Sequence, residues 1–167
     1  MLKLVAQQTS VVKTKFSESL GESRFLSVDM EKDVAIADKA NVGKRALLTA
    51  PRWVYLVERM EQIDLVVQRA ITLKPTHFKL HLGSNWYLSV SDEMPFVDIR
   101  RWYWKGDDLR PTPTGIAITF AQWDRLKEVA KLDKMQQEFE GIESCGHPSQ
   151  REEAMCPICT PSAAAWL

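Results

Sequence analysis

Two groups of residues in this chain could do chemistry. Near its end, Cys145-Gly-His147 is followed, after eight residues, by Cys156-Pro-Ile-Cys159. Three thiols and an imidazole make a Cys₃His set, a standard tetrahedral zinc arrangement, and Cys-x₂-Cys is a recurrent half of such sites. The intervening Pro148–Met155 is long enough to turn back. Four protein ligands leave no open position for a substrate, so the expected role of zinc is structural. The metal would supply folding energy to a tail with few apolar residues. The same residues also fit a tail with free thiols, or a transient disulfide between Cys156 and Cys159.

The second group is Arg100-Arg101-Trp102-Tyr103-Trp104-Lys105, which interleaves cations and aromatic rings within six positions. Aromatic rings stack on bases at ~1–3 kcal/mol per base, largely regardless of sequence, while basic groups neutralise phosphates. Trp86 and Arg110 belong to the same candidate surface, and Lys32, Lys39, Lys44 and Arg45 could extend it. The competing reading makes Trp102 and Trp104 core or interface aromatics and pairs the arginines with Asp107 and Asp108. His77 and His81 read as surface residues rather than ligands. The carboxylate pairs Asp92-Glu93 and Asp107-Asp108 fall in expected turns. With no Gly-rich phosphate loop, nucleophile elbow or Ser/His/Asp arrangement, the chain does not read as an enzyme.

Composition bounds the class. The chain has 167 residues, 45% apolar and 26% charged, with 22 basic and 22 acidic side chains. These values fit a soluble globular protein of one domain or two small ones. No stretch approaches the ~18 apolar residues of a membrane helix, and the first residues do not read as a secretory signal. A net charge of zero confines any nucleic-acid binding to a local patch. Three cysteines, all near the end, suit a reduced compartment rather than a disulfide framework. The expected location is intracellular, and nuclear if the source is eukaryotic.

An internal repeat organises the residues that must position these groups. Phe25-Leu-Ser-Val28, Val34-Ala-Ile36, Ala46-Leu-Leu-Thr49 and Trp53 recur in order as Tyr87-Leu-Ser-Val90, Val97-Asp-Ile99, Ile116-Ala-Ile-Thr119 and Trp123. The spacing between copies changes only between the apolar runs, where loops would sit. The second copy carries a longer connection around Lys105–Pro113. The short runs alternate as half-buried strands do, with Val97 and Ile99 on one side and Asp98 and Arg100 on the other.

A helix ends each copy. Thr49 and Thr119 are expected N-caps, Pro51 suits a first turn, and Gln122 stands at capping-box spacing from Thr119. Trp53, Leu56, Val57, Met60, Ile63 and Val67 form one apolar stripe. Trp123, Leu126 and Ala130 form the other. Both helices should run about five turns, to roughly Ala70 and Glu140. The expected fold is therefore α+β: a module at 1–72, a second at 73–141 and a Cys/His tail at 142–167. Each module is marginal alone, and each helix needs covering. Two such modules would form an intramolecular pseudo-dimer with approximate two-fold symmetry.

The second module resembles the single-stranded-DNA-binding domain of the transcriptional coactivator called positive cofactor four. The resemblance lies in Tyr87-Leu-Ser-Val90, Val97-Asp-Ile-Arg100, the aromatic cluster after it, Arg110-Pro111, Gly115-Ile116 and Gln122-Trp123-x-x-Leu126-Lys127. It covers about residues 78–139, and about 16–70 match the same pattern more weakly. The resemblance implies a four-stranded curved sheet with a C-terminal helix, pairing through the helices, and binding of single strands by basic and aromatic side chains. It implies single-stranded DNA as partner, RNA as a second candidate, and service in transcription, replication or repair alongside the proteins of those pathways. The sequence departs from the family at Ser91-Asp-Glu-Met94, where a basic hairpin is replaced, and at Thr114, where a lysine is replaced. The first copy has Ala37-Asp38 where the second has Arg100-Arg101. An asymmetric surface follows, with stacking from the second module. The alternative is an interaction adaptor that keeps the fold without the groove.

Overall fold

The computed structural model describes residues 13–147 and residue 156. The chain forms two antiparallel four-stranded sheets of the same order. The first joins β1 (Thr14–Gly21), β2 (Arg24–Asp29), β3 (Val34–Asp38) and β4 (Arg45–Leu48). The second joins β5 (His77–Gly83), β6 (Trp86–Ser91), β7 (Met94–Lys105) and β8 (Asp108–Thr119). Both begin with the same tight turn. Gly21 and Gly83 adopt φ of 109° and 110°, each followed by a left-handed residue, Glu22 or Ser84. Both first pairs slip register just before that glycine. A carbon added at Gly83 would lie 2.4 Å from Arg52 Nε.

The alternation expected from the sequence is the alternation found. Leu26, Val28, Val34 and Ile36 of the first sheet, and Leu88, Val97, Ile99, Ile116 and Ile118 of the second, point into one continuous core. β1 and β5 did not stand out as apolar runs, because they are edge strands with charged and exposed positions. The expected connection at Lys105–Pro113 is instead regular structure. β7 and β8 continue past the sheet as a two-stranded arm, turning at Gly106 (φ 61°). Pro111 and Pro113, which suit a loop by composition, are tolerated because β8 is an edge strand with no ladder partner on its far side along the arm among the described residues.

Each expected long helix is broken once. The first becomes α1 (Ala50–Glu58) and α2 (Met60–Ile71), and the second becomes α3 (Phe120–Ala130) and α4 (Asp133–Glu138). At Arg59 the backbone N–H is shared between the carbonyls of Tyr55 and Leu56, which tightens the turn. The break keeps Trp53 and Leu56 in line with Met60, Ile63 and Val67 on the buried face. Thr119 and Gln122 form the capping box reciprocally, at 3.1 and 2.9 Å. Thr49 occupies the N-cap but makes no side-chain cap bond, and Arg52, which stands where Gln122 stands in the second helix, cannot supply the reciprocal half of a capping box.

The helices cross over between halves. α1 and α2 pack on β5, β6 and β7, and α3 packs on β1 as well as on β7 and β8. Trp53 and Trp123, both fully buried, anchor this exchange. Trp53 meets Phe139 of the other half at 6.2 Å, and the Trp123 indole N–H donates to Asp64 of α2 at 3.3 Å. Gln122 donates to the Gly21 carbonyl, and Arg24 pairs with Asp38 while donating to the Ala117 carbonyl of β8. Lys134 pairs with Glu18, and Lys127 with Asp64.

Gly115 sets a packing constraint that no side-chain movement can relieve. A Cβ there would lie 2.6 Å from Arg100 Cα and from the Ile99 carbonyl, both backbone atoms that cannot turn away. Gly115→Ala should therefore destabilise the fold by about 2 kcal/mol or more in urea unfolding. Gly106→Ala, which meets nothing within 4 Å, should cost roughly 1 kcal/mol for its left-handed backbone. Equal costs would show that the β7–β8 approach is not tight. A second expectation concerns acid. The Asp38 carboxyl is held below the usual range by the Ser23 hydroxyl, then by the Ala40 amide and Arg24. A lowered folded-state pKa adds stability that is present above the unfolded value of about 3.9 and is lost as pH falls through the folded one. Asp38→Asn should be less stable at neutral pH and should lose less stability than wild type on acidification to about pH 3. Parallel stability curves would contradict this.

Candidate nucleic-acid interface and metal-ligand cluster

The outer face of the second sheet, away from the core, carries a groove of about 630 Å³. Cross-strand register builds it. Lys79, Ser89, Asp98 and Ala117 stand side by side across β5–β8, with His81, Tyr87, Arg100 and Gly115 in the next row. Phe78, Met94, Phe96 and Pro111 add apolar walls. Trp102 closes one end. The Lys79 ammonium sits 3.5 Å from the centre of the Trp102 ring, a cation–π contact. Burial pushes the Lys79 pKa below its ordinary value. Buried Tyr87 backs Trp102 edge to face at 6.4 Å and meets His81 at 4.8 Å, while the rings that line the groove itself are those of His77, Phe78, Phe96 and Trp102. The buried Trp102 indole N–H has no hydrogen-bond partner among the described residues.

Arg100 is on this face but is already engaged. Its Nε and Nη2 bond both Asp98 oxygens at 3.1 and 3.0 Å, and Nη1 donates to the Thr112 carbonyl at 3.0 Å. It stitches β7 to β8 where their register slips. Trp104 follows on the same side of β7, 53% exposed on the arm. Arg101, Tyr103 and Lys105 alternate to the other side. Arg110, opposite Tyr103, lies 3.5 Å from exposed Asp108.

The remaining expected residues are dispersed. Trp86 is buried, with Arg101 above its ring at 6.0 Å. Lys32, in a left-handed turn, donates to the Glu138 carbonyl at 3.0 Å. Lys39 reaches the Phe25 ring at 5.7 Å, and Lys44 lies exposed in the β3–β4 turn. Arg45 is exposed on β4 and meets Trp86 and Arg101 around a separate cavity. The corresponding outer face of the first sheet offers Ser17, Ser27, Ala35 and Ala37, with Phe25 and Leu47 as its larger apolar groups. Lys79, Tyr87 and Phe96 were not singled out from the sequence. Alternation around Leu80 and Leu88 was the signal that could have found the first two.

Residues 81–129 match the family model described as Transcriptional Coactivator p15 (PC4). The matched segment runs from the end of β5 into α3 and holds Tyr87, Arg100 and Trp102. Ser89 to Ala117 of the groove thus lie on a segment similar to a transcription-related, nucleic-acid-binding domain, while His77, Phe78 and Lys79 lie just before it. The search of curated proteins and the search of solved structures gave no match. No helix among the described residues is long and apolar enough to cross a membrane.

The tail returns to the body of the protein. Cys145 is buried and its N–H donates to the Pro51 carbonyl at 3.1 Å. Gly146 lies flat against Tyr55, where a Cβ would be 2.1 Å from the ring. Cys145 Sγ is 2.9 Å from His147 Nε2 and 3.3 Å from Cys156 Sγ, and the three ligand atoms lie within 4.8 Å of one another. These three side chains could hold a metal. A tetrahedral zinc with Zn–S of about 2.3 Å needs sulfur–sulfur edges of about 3.8 Å, a small opening from this arrangement. Cys159 lies outside the described residues. His81, expected at the surface, is 7% exposed, with its Nδ1 2.8 Å from the His147 carbonyl. The burial comes from the returning tail, which no reading of β5 alone reveals.

Proposed function

We propose that the protein binds single-stranded DNA in the groove of the second sheet and acts in transcription regulation. The observation that carries this reading is the Lys79–Trp102 pair in a groove lined by further rings. A base can stack on the rings while the lysine meets the backbone phosphate. The match of residues 81–129 to a coactivator family supports the same reading. The repeated turn, strand order and register support a duplication, in which both halves descend from one sheet-plus-helix module and form a pseudo-dimer within one chain. The ring-bearing half does the stacking. Its partner half, with small residues on the equivalent face, acts mainly as scaffold.

The tail is read as a structural zinc site of Cys145, His147 and Cys156, with Cys159 as fourth ligand on the strength of Cys-x₂-Cys spacing. Such a site would fasten the tail to α1 through Pro51 and Tyr55, and to β5 through His81.

Lys79→Ala with Trp102→Ala should weaken binding of a single-stranded oligonucleotide roughly 10-fold to 100-fold, with circular dichroism unchanged. Titration of wild type should quench tryptophan fluorescence, with DNA and RNA of one sequence compared in parallel. A folded double variant that binds as tightly as wild type would remove the groove from the function. For the tail, purified wild type should carry stoichiometric zinc by metal analysis, and Cys156→Ser should release it to a chromogenic chelator. Metal-free wild type, or a variant that retains zinc, would refute the ligand set.

A further inference from the structure

A second cavity, of about 270 Å³, lies at the seam between the halves. Arg45 of β4 and Arg52 of α1 line it from the first half, and Arg101 and Trp86 from the second. Its one carboxylate among the described residues is Asp33, which burial, Asp29 and Glu31 hold above the ordinary carboxylate pKa and which Arg52 pulls the other way. Arg52 also donates to Ser84 Oγ at 2.6 Å. Arg45 and Arg101 have no carboxylate partner among the described residues; Arg101 rests on Trp86. Arg45 and Arg101 against Asp33 leave the described lining of the cavity positive.

The molecule supplies its own comparison. Arg24 faces Asp38 across β2 and β3, and at the same register one repeat later Trp86 faces Arg101 across β6 and β7. The first pair is closed, since Arg24 pairs with Asp38 and caps the Ala117 carbonyl at 3.3 and 3.4 Å. In the second pair an indole stands for the arginine, and an arginine for the aspartate. The residue matching Ala117 is Leu47, which lines the seam cavity. A neutral, closed contact on one side of the molecule therefore corresponds to an open, cationic one on the other.

We propose that the seam cavity binds a phosphate group, supplied by a backbone phosphodiester of the strand held in the groove; this rests on the single-strand reading above. Guanidinium forks match phosphate oxygens in bidentate geometry. Thr49, the N-cap of α1 with no cap bond of its own, lines the cavity and adds a hydroxyl beside the positive end of that helix. Arg100 and Arg101 alternate to opposite sides of β7, so a strand reaching both sites passes around β8, the edge strand that borders β4.

The test is Arg45→Gln with Arg101→Gln, two exposed positions, read in two ways. Inorganic phosphate should shift the Trp86 indole N–H signal in the NMR spectrum of wild type and not of the double variant. The salt dependence of oligonucleotide binding should flatten by about 0.7 in log–log slope, the contribution of one single-strand phosphate contact. A phosphate-induced shift with an unchanged slope would assign the cavity to free anions and overturn the strand contact. No shift and no change of slope would overturn the site altogether. Both failures leave the groove reading standing if Lys79→Ala with Trp102→Ala still weakens binding. If wild type binds no oligonucleotide, the single-strand reading itself fails.

Discussion

The helix that follows each sheet covers strands of the other half, and everything else depends on this exchange. A four-stranded sheet has one apolar face to bury, and a half of fewer than about 70 residues is marginal alone. Trp53 and Trp123 show how the exchange works. Each is fully buried, and each meets a group from the opposite half, Phe139 in one case and Asp64 in the other. The outer faces of both sheets are thereby freed from structural duty. The second sheet can then carry rings and cations facing solvent without weakening its core.

Electrostatics then decides which cations on that face remain available. Arg100 heads the most basic segment of the chain, yet its charge is matched by Asp98 two residues earlier and its third donor is taken by Thr112. Among the described residues Lys79 has no carboxylate partner. It loses hydration to burial and regains stabilisation from the Trp102 ring. On the proposed single-strand reading, a cation held in this way is poised for exchange, because an incoming phosphate can replace part of what burial removed.

Much of this architecture could be read from the residues. The paired motifs Leu-Ser-Val and Val-x-Ile located the central strands, and the Trp53 stripe located a helix. Strand alternation put Asp98 and Arg100 on one face, but the arginines were expected to pair with Asp107 and Asp108, whereas Arg100 pairs with Asp98 two residues away. Other features were hidden for physical reasons. β1 and β5 lie at sheet edges and show weak apolar alternation. The arm contains Gly106-Asp-Asp and two prolines, a composition that suits a loop as well as an edge strand. Lys79 belongs to a strand that pattern did not reveal, so its meeting with Trp102, across three strands, was not visible. The approach of Cys145, His147 and Cys156 was expected from spacing. Its attachment to Pro51, Tyr55 and His81 depends on tertiary packing, which spacing does not encode.

The prolines of the arm have a consequence for colloidal behaviour. An extended two-stranded ribbon bearing Tyr103 and Trp104, both about half exposed, is the kind of element that recruits further chains edge to edge and seeds fibrils. Pro111 and Pro113 deny an intruding strand the amide protons it would need along β8. The ribbon can thus present adhesive flanks to a ligand while its border stays inert towards other copies of itself.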